Sequence, residues 1–268
     1  AALLHRSDGG VFIKLEASKT NGETENTEEK HAKKESLIFS AIANMSTEPL
    51  PSGTSKEDVA LFLQQPENRN LLLSSGGSRP VEEMPLSPEL ESLWKELCQK
   101  EYGLENLPSP GDVVLSCDSI AKFPGLKMVT TTISGVKYSE TKTGYPQYSF
   151  FLIGEKQSIS GLPPVVYMFN KLTGMNKKGD SLKPSGVAAS IVSLQETAGD
   201  DDENLVINFD ANIKITVEFP AFLLKILPVS KEKAEEQGSA SILKSVKPSL
   251  DQSLTGVYDA FLDHQKSK

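Results

Sequence analysis

The chain has 268 residues, 38% of them hydrophobic and 24% charged, which is enough apolar material for a real core without disulfides or a structural metal. A net charge of −8 and a pI of about 5.1 exclude a nucleic-acid binder, which needs a basic surface to neutralise phosphate. The same balance excludes a protein held on anionic lipid by its overall charge alone.

The two cysteines, Cys98 and Cys117, form neither a disulfide framework nor a metal-ligand spacing, so both are expected to be buried, unreactive thiols in a reducing compartment. The longest apolar runs, "PPVVYMF" at 163–169 and "AFLLKIL" at 221–227, fall well short of the roughly 18 residues that a membrane span needs. The sequence opens "AALLHRS" without Met, as expected of a processed or trimmed form, and a removed targeting peptide is one source of such a start.

In chain order, residues 17–36 contain almost nothing apolar and mix both charge signs, so they read as a tail or linker. Short apolar islets flank them at 11–15 (VFIKL) and 37–45 (LIFSAIANM). An islet in a polar tail docks on its own domain or on another protein, which makes Val11, Phe12, Ile13, Leu37, Ile38 and Phe39 the candidate partner-binding residues. Residues 1–50 are thus expected to form an extended, largely polar N-terminal extension, and 51–268 the folded domain.

A helix is predicted at 55–65, with Ser55 and Asp58 as a capping-box-like start and Pro66 as its stop. "NLLLSSGGS" then runs into a Gly/Ser turn that lacks the Lys and Ser/Thr of a phosphate loop. A second helix opens at Ser87–Pro88, carries Leu90, Leu93, Trp94, Leu97 and Cys98 on one stripe, and ends at Gly103. Trp94 is read as a packing residue.

After "LPSPGD" the apolar period changes to two. Strands are predicted at 112–120, 126–138, 147–155, 164–172, 186–196 and 203–219, separated by "KTGYP", "SGLPP", "TGMNKKGD" and "AGDDDEN". Connections this short make about six strands an antiparallel meander, since parallel pairs need long crossovers. Within "LVINFDANIKITVEF" (205–219), Leu205, Ile207, Phe209, Ala211, Ile213, Ile215, Val217 and Phe219 share a dry face. Asn208, Asp210, Asn212 and Lys214 are on the wet one.

From Ser230 a helical stripe of Ala234, Gly238, Ile242, Val246, Leu250, Leu254, Val257 and Phe261 passes through Pro248, so a kinked helix or two consecutive helices are expected. This stripe can cover the dry face of the sheet. Large residues on both sides (Phe209, Ile213, Ile215 and Phe219 against Leu250, Leu254 and Phe261) favour a filled interface.

This α+β plan resembles the START-like helix-grip fold of the SRPBCC superfamily, a curved antiparallel sheet on a long C-terminal helix. The stretch "LVINFDANIKITVEFPAFLLKILPVSKEKAEEQGSASILKSV" is similar to the C-terminal half of an uncharacterised START-like family of cyanobacteria and plastids. Upstream, "VALFLQQPENRNLLL" resembles that family's Pro-Glu-Arg segment, except that Asn68 stands where the family tends to have Arg, with Arg69 one place later. "VYDAFLDH" only echoes the family's terminal motif. The resemblance implies the fold, a chloroplast location in the stroma or at the thylakoid, and, in some helix-grip domains, a cavity for an apolar ligand.

No catalytic constellation emerges. His5 and His31 lie in the tail and His264 near the end of the last helix, so none is fixed beside a nucleophile or in a metal set. "GDDDEN" (199–204) lacks the alternating ligands and Gly of a calcium loop and reads as a solvated hairpin tip. Glu235 and Glu236 suit the dipole of the helix they open. Tyr138, Tyr145, Tyr148 and Tyr167 are read as strand packing residues. No cofactor or metal is expected.

The expected function is a non-catalytic accessory, assembly or scaffold protein bound to a larger plastid membrane-associated complex. Carriage of an apolar small molecule, a lipid or pigment, between sheet and helix is the alternative.

Overall fold

A computed structural model describes residues 3–7, 10–14, 34–105, 108–173, 182, 184, 186–197, 204–220 and 230–267. Two short strands, β1 (Leu3–Ser7) and β2 (Gly10–Lys14), pair as an antiparallel hairpin that carries the backbone of Val11, Phe12 and Ile13.

The main sheet has seven antiparallel strands in the order β3-β9-β8-β7-β6-β5-β4. These are β3 (Lys34–Ser46), β4 (Val81–Met84), β5 (Val113–Phe123), β6 (Leu126–Glu140), β7 (Pro146–Gly161), β8 (Gly186–Thr197) and β9 (Asn204–Pro220). Helices α1 (Lys56–Gln64), α2 (Pro66–Leu71) and α3 (Pro88–Leu97) precede β5, α4 (Pro163–Thr173) follows β7, and α5 (Lys231–Lys266) closes the chain. This is an α+β helix-grip arrangement in which β5 to β9 are five of the six strands expected for the meander, and β4 and β3 are edge strands that the expectation did not include.

Local chemistry sets most helix ends. Ser55 caps α1 in a two-way capping box with Asp58, and Ser87 accepts from the Leu90 N–H at the start of α3. A π-turn at Cys98–Tyr102 extends α3 to Gly103, whose φ of 61° is the left-handed stop expected from its glycine.

Three expectations are corrected. Residues 164–172 are helix, not strand: an apolar run of this length fits either period, and Pro163 and Pro164 suit a first helical turn better than a ladder. Pro66 does not merely end α1 but opens α2, because its fixed φ is preorganised for a first turn. Residues 34–46, expected in the extension, form β3 and pair with β9 from Lys34↔Pro220 to Ser46↔Asn208, so the domain begins at 34. The alternation of Leu37, Phe39, Ala41, Ala43 and Met45 with Ile38, Ser40, Ile42 and Asn44 is the strand signal there.

The sheet carries a core on each face, the second of them over β5 to β8 only. On one, Leu115, Val136, Tyr148, Phe150, Val192, Leu194, Ile207, Phe209 and Ala211 meet Phe62, Leu254, Val257 and Phe261 of α1 and α5. Phe62 and Phe261 stack edge-on at 5.2 Å, and both are essentially inaccessible to solvent. The interface is filled by side chains, as the large residues on both sides suggested. On the other face, Leu90, Trp94, Cys98 and Tyr102 pack on Val114, Ile133, Phe151 and Ile153. Trp94 lies flat on Gly135, where a Cβ would come within 2.5 Å of the indole ring.

α5 runs unbroken through Pro248 and does two different things. Its second half inserts Leu254, Val257 and Phe261 into the core. There Gly256 meets the Gly76 backbone so closely that a Cβ would sit 2.7 Å from the Gly76 Cα. Its first half runs beside β3: Gly238 leaves room for the Phe39 ring, and the Ile38 and Ser40 N–H groups donate to Glu235 Oε1 and Ser239 Oγ, each at 2.9 Å. Those amides would otherwise be an open strand edge, and the helix occupies it.

Candidate functional site: the outer face of the β3–β9 edge

The strand pairing places Ser40, Ile42, Asn44 and Ser46 of β3 beside Lys214, Asn212, Asp210 and Asn208 of β9, all on the face turned away from α5. Asn208 also pairs with Ser193 of β8. The polar groups are tied together. Ser46 Oγ donates to Asn208 Oδ1 at 2.8 Å, Asn208 Nδ2 donates to Asp210 Oδ2 at 2.8 Å, and Asn44 Nδ2 donates to Asp210 Oδ1. Asp210 therefore has both carboxylate oxygens engaged by amides. Alternation placed Asn208 on the wet face with Asp210, Asn212 and Lys214, yet it is only 3% exposed, and its side-chain amide is satisfied within the sheet.

Beside this ladder two isoleucines protrude. Ile42 is 72% exposed and Ile38 is 36% exposed, on the same outward row as Ser40 and Asn44. A branched apolar side chain this open on a rigid strand, bordered by ordered amides and hydroxyls, has the make-up of a protein-docking patch with an apolar centre and polar rim.

Of the residues singled out from sequence, the structure brings three to this edge and divides them. Ile38 faces outward. Leu37 is 5% exposed and Phe39 half-buried against α5, so these two hold the fold together and are not free for a partner. Val11, Phe12 and Ile13 are on the separate β2 strand, described only through its backbone. Sequence reading missed Ile42, Asn44 and Ser46, although the alternation in 37–45 marked the first two as the outward row.

Elsewhere the reactive groups are held inert or solvated. Cys98 is fully buried and its thiol is pushed up to about 12, chiefly by burial; burial likewise raises Cys117. Burial raises Tyr148 to about 12, and its hydroxyl donates to Leu63 O. Tyr138 stacks on Tyr148 at 5.2 Å, and Tyr145 donates to Glu196 under the Lys56 ammonium, whereas Tyr167 stands apart on α4. His264 rests on the Phe62 ring, His5 is in β1, and His31 lies outside the described residues, as does 199–203 of the acidic turn.

Glu235 caps a strand edge as well as suiting the helix dipole. Arg69 is buried and ion-paired with Glu83 at 3.2 Å, while Asn68 Nδ2 donates to Phe62 O and Gln65 Oε1. Among the described residues no three His, Cys, Asp or Glu side chains are placed to hold a metal ion, and no helix is long and apolar enough to cross a membrane. Two open clefts of about 260 and 270 Å³ lie around the 50–57 loop and Leu205, not between sheet and helix.

No family model and no curated protein matches this chain. Among solved structures it is similar to the di-domain ARO/CYC BexL from the BE-7585A biosynthetic pathway, with a TM-score of 0.37 and 14% sequence identity over 82% of this chain. That alignment covers 50% of BexL, so the chain spans about half the length of its neighbour.

Proposed function

We propose that the protein is a non-catalytic accessory or assembly factor that docks on a larger complex, in a plastid and near its membrane, through the outer face of β3. The single observation that carries the reading is Ile42: it is 72% exposed beside Ile38 on a strand locked to β9 along its whole length. The extension loses one of its two islets to the sheet, so support moves from a loose tail to a fixed surface. The plastid assignment rests on the sequence resemblance alone.

Affinity capture of the tagged chain from its native source, with identification of co-purifying proteins, tests the reading. Capture is expected to return a defined set of chains, and Ile42→Asp to lose them while the purified variant keeps its circular dichroism. An unchanged set with Ile42→Asp refutes docking through this face.

A second reading, carriage of an apolar small molecule, draws on the half-exposure of Ile213 and Ile215 on the inner face of β9, beyond the filled core. A lipid or pigment seen in native mass spectra of the purified protein, and removed by Ile215→Glu, would favour it over docking.

A further inference from the structure

We infer that the outer face of β3 and β9 is closed, in the free protein, by a second copy of the same chain in a weak symmetric dimer. This rests on the reading of that face as a docking surface and names what covers it before a larger partner displaces the copy.

The face is open and stiff. Ile38, Ser40, Ile42, Asn44 and Ser46, every outward position of β3 from 38 to 46, are all exposed. Pairing with β9 along the whole strand fixes the backbone. The bonds from Ser46 to Asn208, from Asn208 to Asp210 and from Asn44 to Asp210 fix the side chains at one end. A surface ordered in advance loses little freedom when it is covered.

Charge placement selects the occupant. Ile42 lies opposite Asn212, and Asp210 and Lys214 stand two residues to either side of Asn212 on the same face, each about 7 Å from it along the strand. Across the ladder, Asn44 lies opposite Asp210 and Ser40 opposite Lys214. A two-fold axis that crosses the strands at the level of Ile42 therefore sets Ile42 against Ile42 of the second copy, Asn44 against Ser40, and each Asp210 against a Lys214. Such reciprocity is what an isologous contact requires. Lys214 has no ion-pair partner among the described residues, and Asp210 is held by neutral amides that leave its charge in place. Opposite charges spaced evenly about an apolar centre fit a copy of this chain better than an unrelated surface.

The fold leaves room for the approach. The core under α3 lies on β5, β6 and β7 and reaches only Val187 and Ala189 of β8. Strands from β3 to β5 share one inner core with α5, so the sheet wraps that helix and its outer face is convex. The α3 layers of two copies thus diverge from a contact made at the β3 edge. From Ile38 to Ser46 across two strands the patch is roughly 30 Å by 10 Å, well under the roughly 800 Å² that each partner gives to a standard interface. The dimer is therefore weak, with a Kd on the order of 10–100 µM, and a larger complementary surface displaces the copy.

Sedimentation equilibrium of the full chain from about 5 µM to about 0.5 mM tests this, and the mass should rise from monomer toward dimer across that range. Ile42→Asp would bring two carboxylates together at the axis, and Lys214→Asp would face each Asp210 with another carboxylate. Each should weaken self-association at least about tenfold. Asp210→Lys alone should do the same. An equimolar mixture of Asp210→Lys with Lys214→Asp should return to within about threefold of the unaltered chain, because the mixed pair restores both contacts of opposite charge. Where Asp210→Lys loses its circular dichroism, Lys214→Asp decides alone: about 0.5 M salt should strengthen its self-association while weakening that of the unaltered chain. A chain monomeric throughout, self-association untouched by Ile42→Asp and Lys214→Asp, a mixture of folded variants that stays monomeric, or the same salt response in both chains overturns the inference. A monomeric chain that still captures co-purifying chains through Ile42 leaves the docking reading standing without the dimer. A dimer lost in Ile42→Asp, beside a captured set that the variant leaves unchanged, refutes docking of a partner at β3 and leaves the dimer standing.

Discussion

The two halves of α5 lie on one helix and do different work. From 249 onward it contributes Ser253, Leu254, Val257 and Phe261 to the buried interior, and Gly256 touches backbone. From 231 to 247 no residue is fully buried; a carboxylate, a hydroxyl and a glycine are set against one strand, and Leu243 reaches only the rim of the core. The second half closes a core by removing apolar area from water; the first finishes a sheet by satisfying its edge. A single apolar stripe in the sequence therefore conceals two energetic regimes.

The sharpest way to break the comparison is to remove a large side chain from each half. Phe261→Ala leaves a cavity beside Phe62 in a region with no access to solvent, and should cost about 3–5 kcal/mol in urea denaturation. Ile242→Ala removes a half-buried side chain whose site water can reach, and should cost about 1 kcal/mol or less. Equal losses would mean that the first half is as tightly packed as the second.

Smaller effects follow from the glycines. Gly256→Ala pushes a methyl to 2.7 Å from the Gly76 Cα, and two backbones cannot separate without moving the Ser74–Ser78 turn. It should destabilise by about 1–3 kcal/mol in spite of the better helix propensity of Ala. Gly238→Ala puts a methyl 2.3 Å from the half-buried ring of Phe39, a side chain that can shift where a backbone cannot, so propensity offsets part of the clash and the net loss should stay within about 1 kcal/mol.

How much of this was legible depends on where each signal resides. Capping at Ser55/Asp58 and Ser87, the stop at Gly103 and the alternation in β9 are properties of adjacent residues, and the structure keeps them all. β3 was harder to place because its partner β9 lies some 170 positions away, and a polar tail disguised its start. The run 164–172 has no period of its own that decides between strand and helix. Burial of Asn208 depends on neighbours in β3 and β8, which no local pattern shows. Ile38 was legible as exposed apolar surface; Ile42, the more open of the two, was not singled out.

The opposite face of the sheet supplies a control in which burial rather than packing volume is read. Because burial raises the Cys98 thiol from 9.0 to about 12, its neutral form is the one the fold favours. The stabilisation is complete below pH 9.0 and is lost as the pH climbs toward 12. A disulfide reagent at pH 8 should therefore label neither Cys98 nor Cys117 in the native chain and both in urea. Rapid native labelling would show that the α3 layer opens far more readily than the α5 layer.

The most local effect lies at the sheet edge itself. In the double variant Glu235→Ala/Ser239→Ala the Ile38 and Ser40 N–H groups lose their acceptors but can turn to water, so each lost bond should cost only about 0.5–1.5 kcal/mol. Global stability is a poor reporter of such a change, and amide exchange is a direct one. With its acceptors gone, the Ile38 and Ser40 amides should exchange about tenfold faster, while the Ile207 amide, bonded to Thr47 Oγ1 at the far end of β9, should be unaffected. Exchange that speeds up equally at both sites would show that the first half of α5 holds the sheet as a whole, so that edge and core form one cooperative unit. Exchange confined to β3 would show that the helix can loosen at its first half with the core still closed, and that the outer face carrying Ile38 and Ile42 is stiffened by α5 from the strand edge.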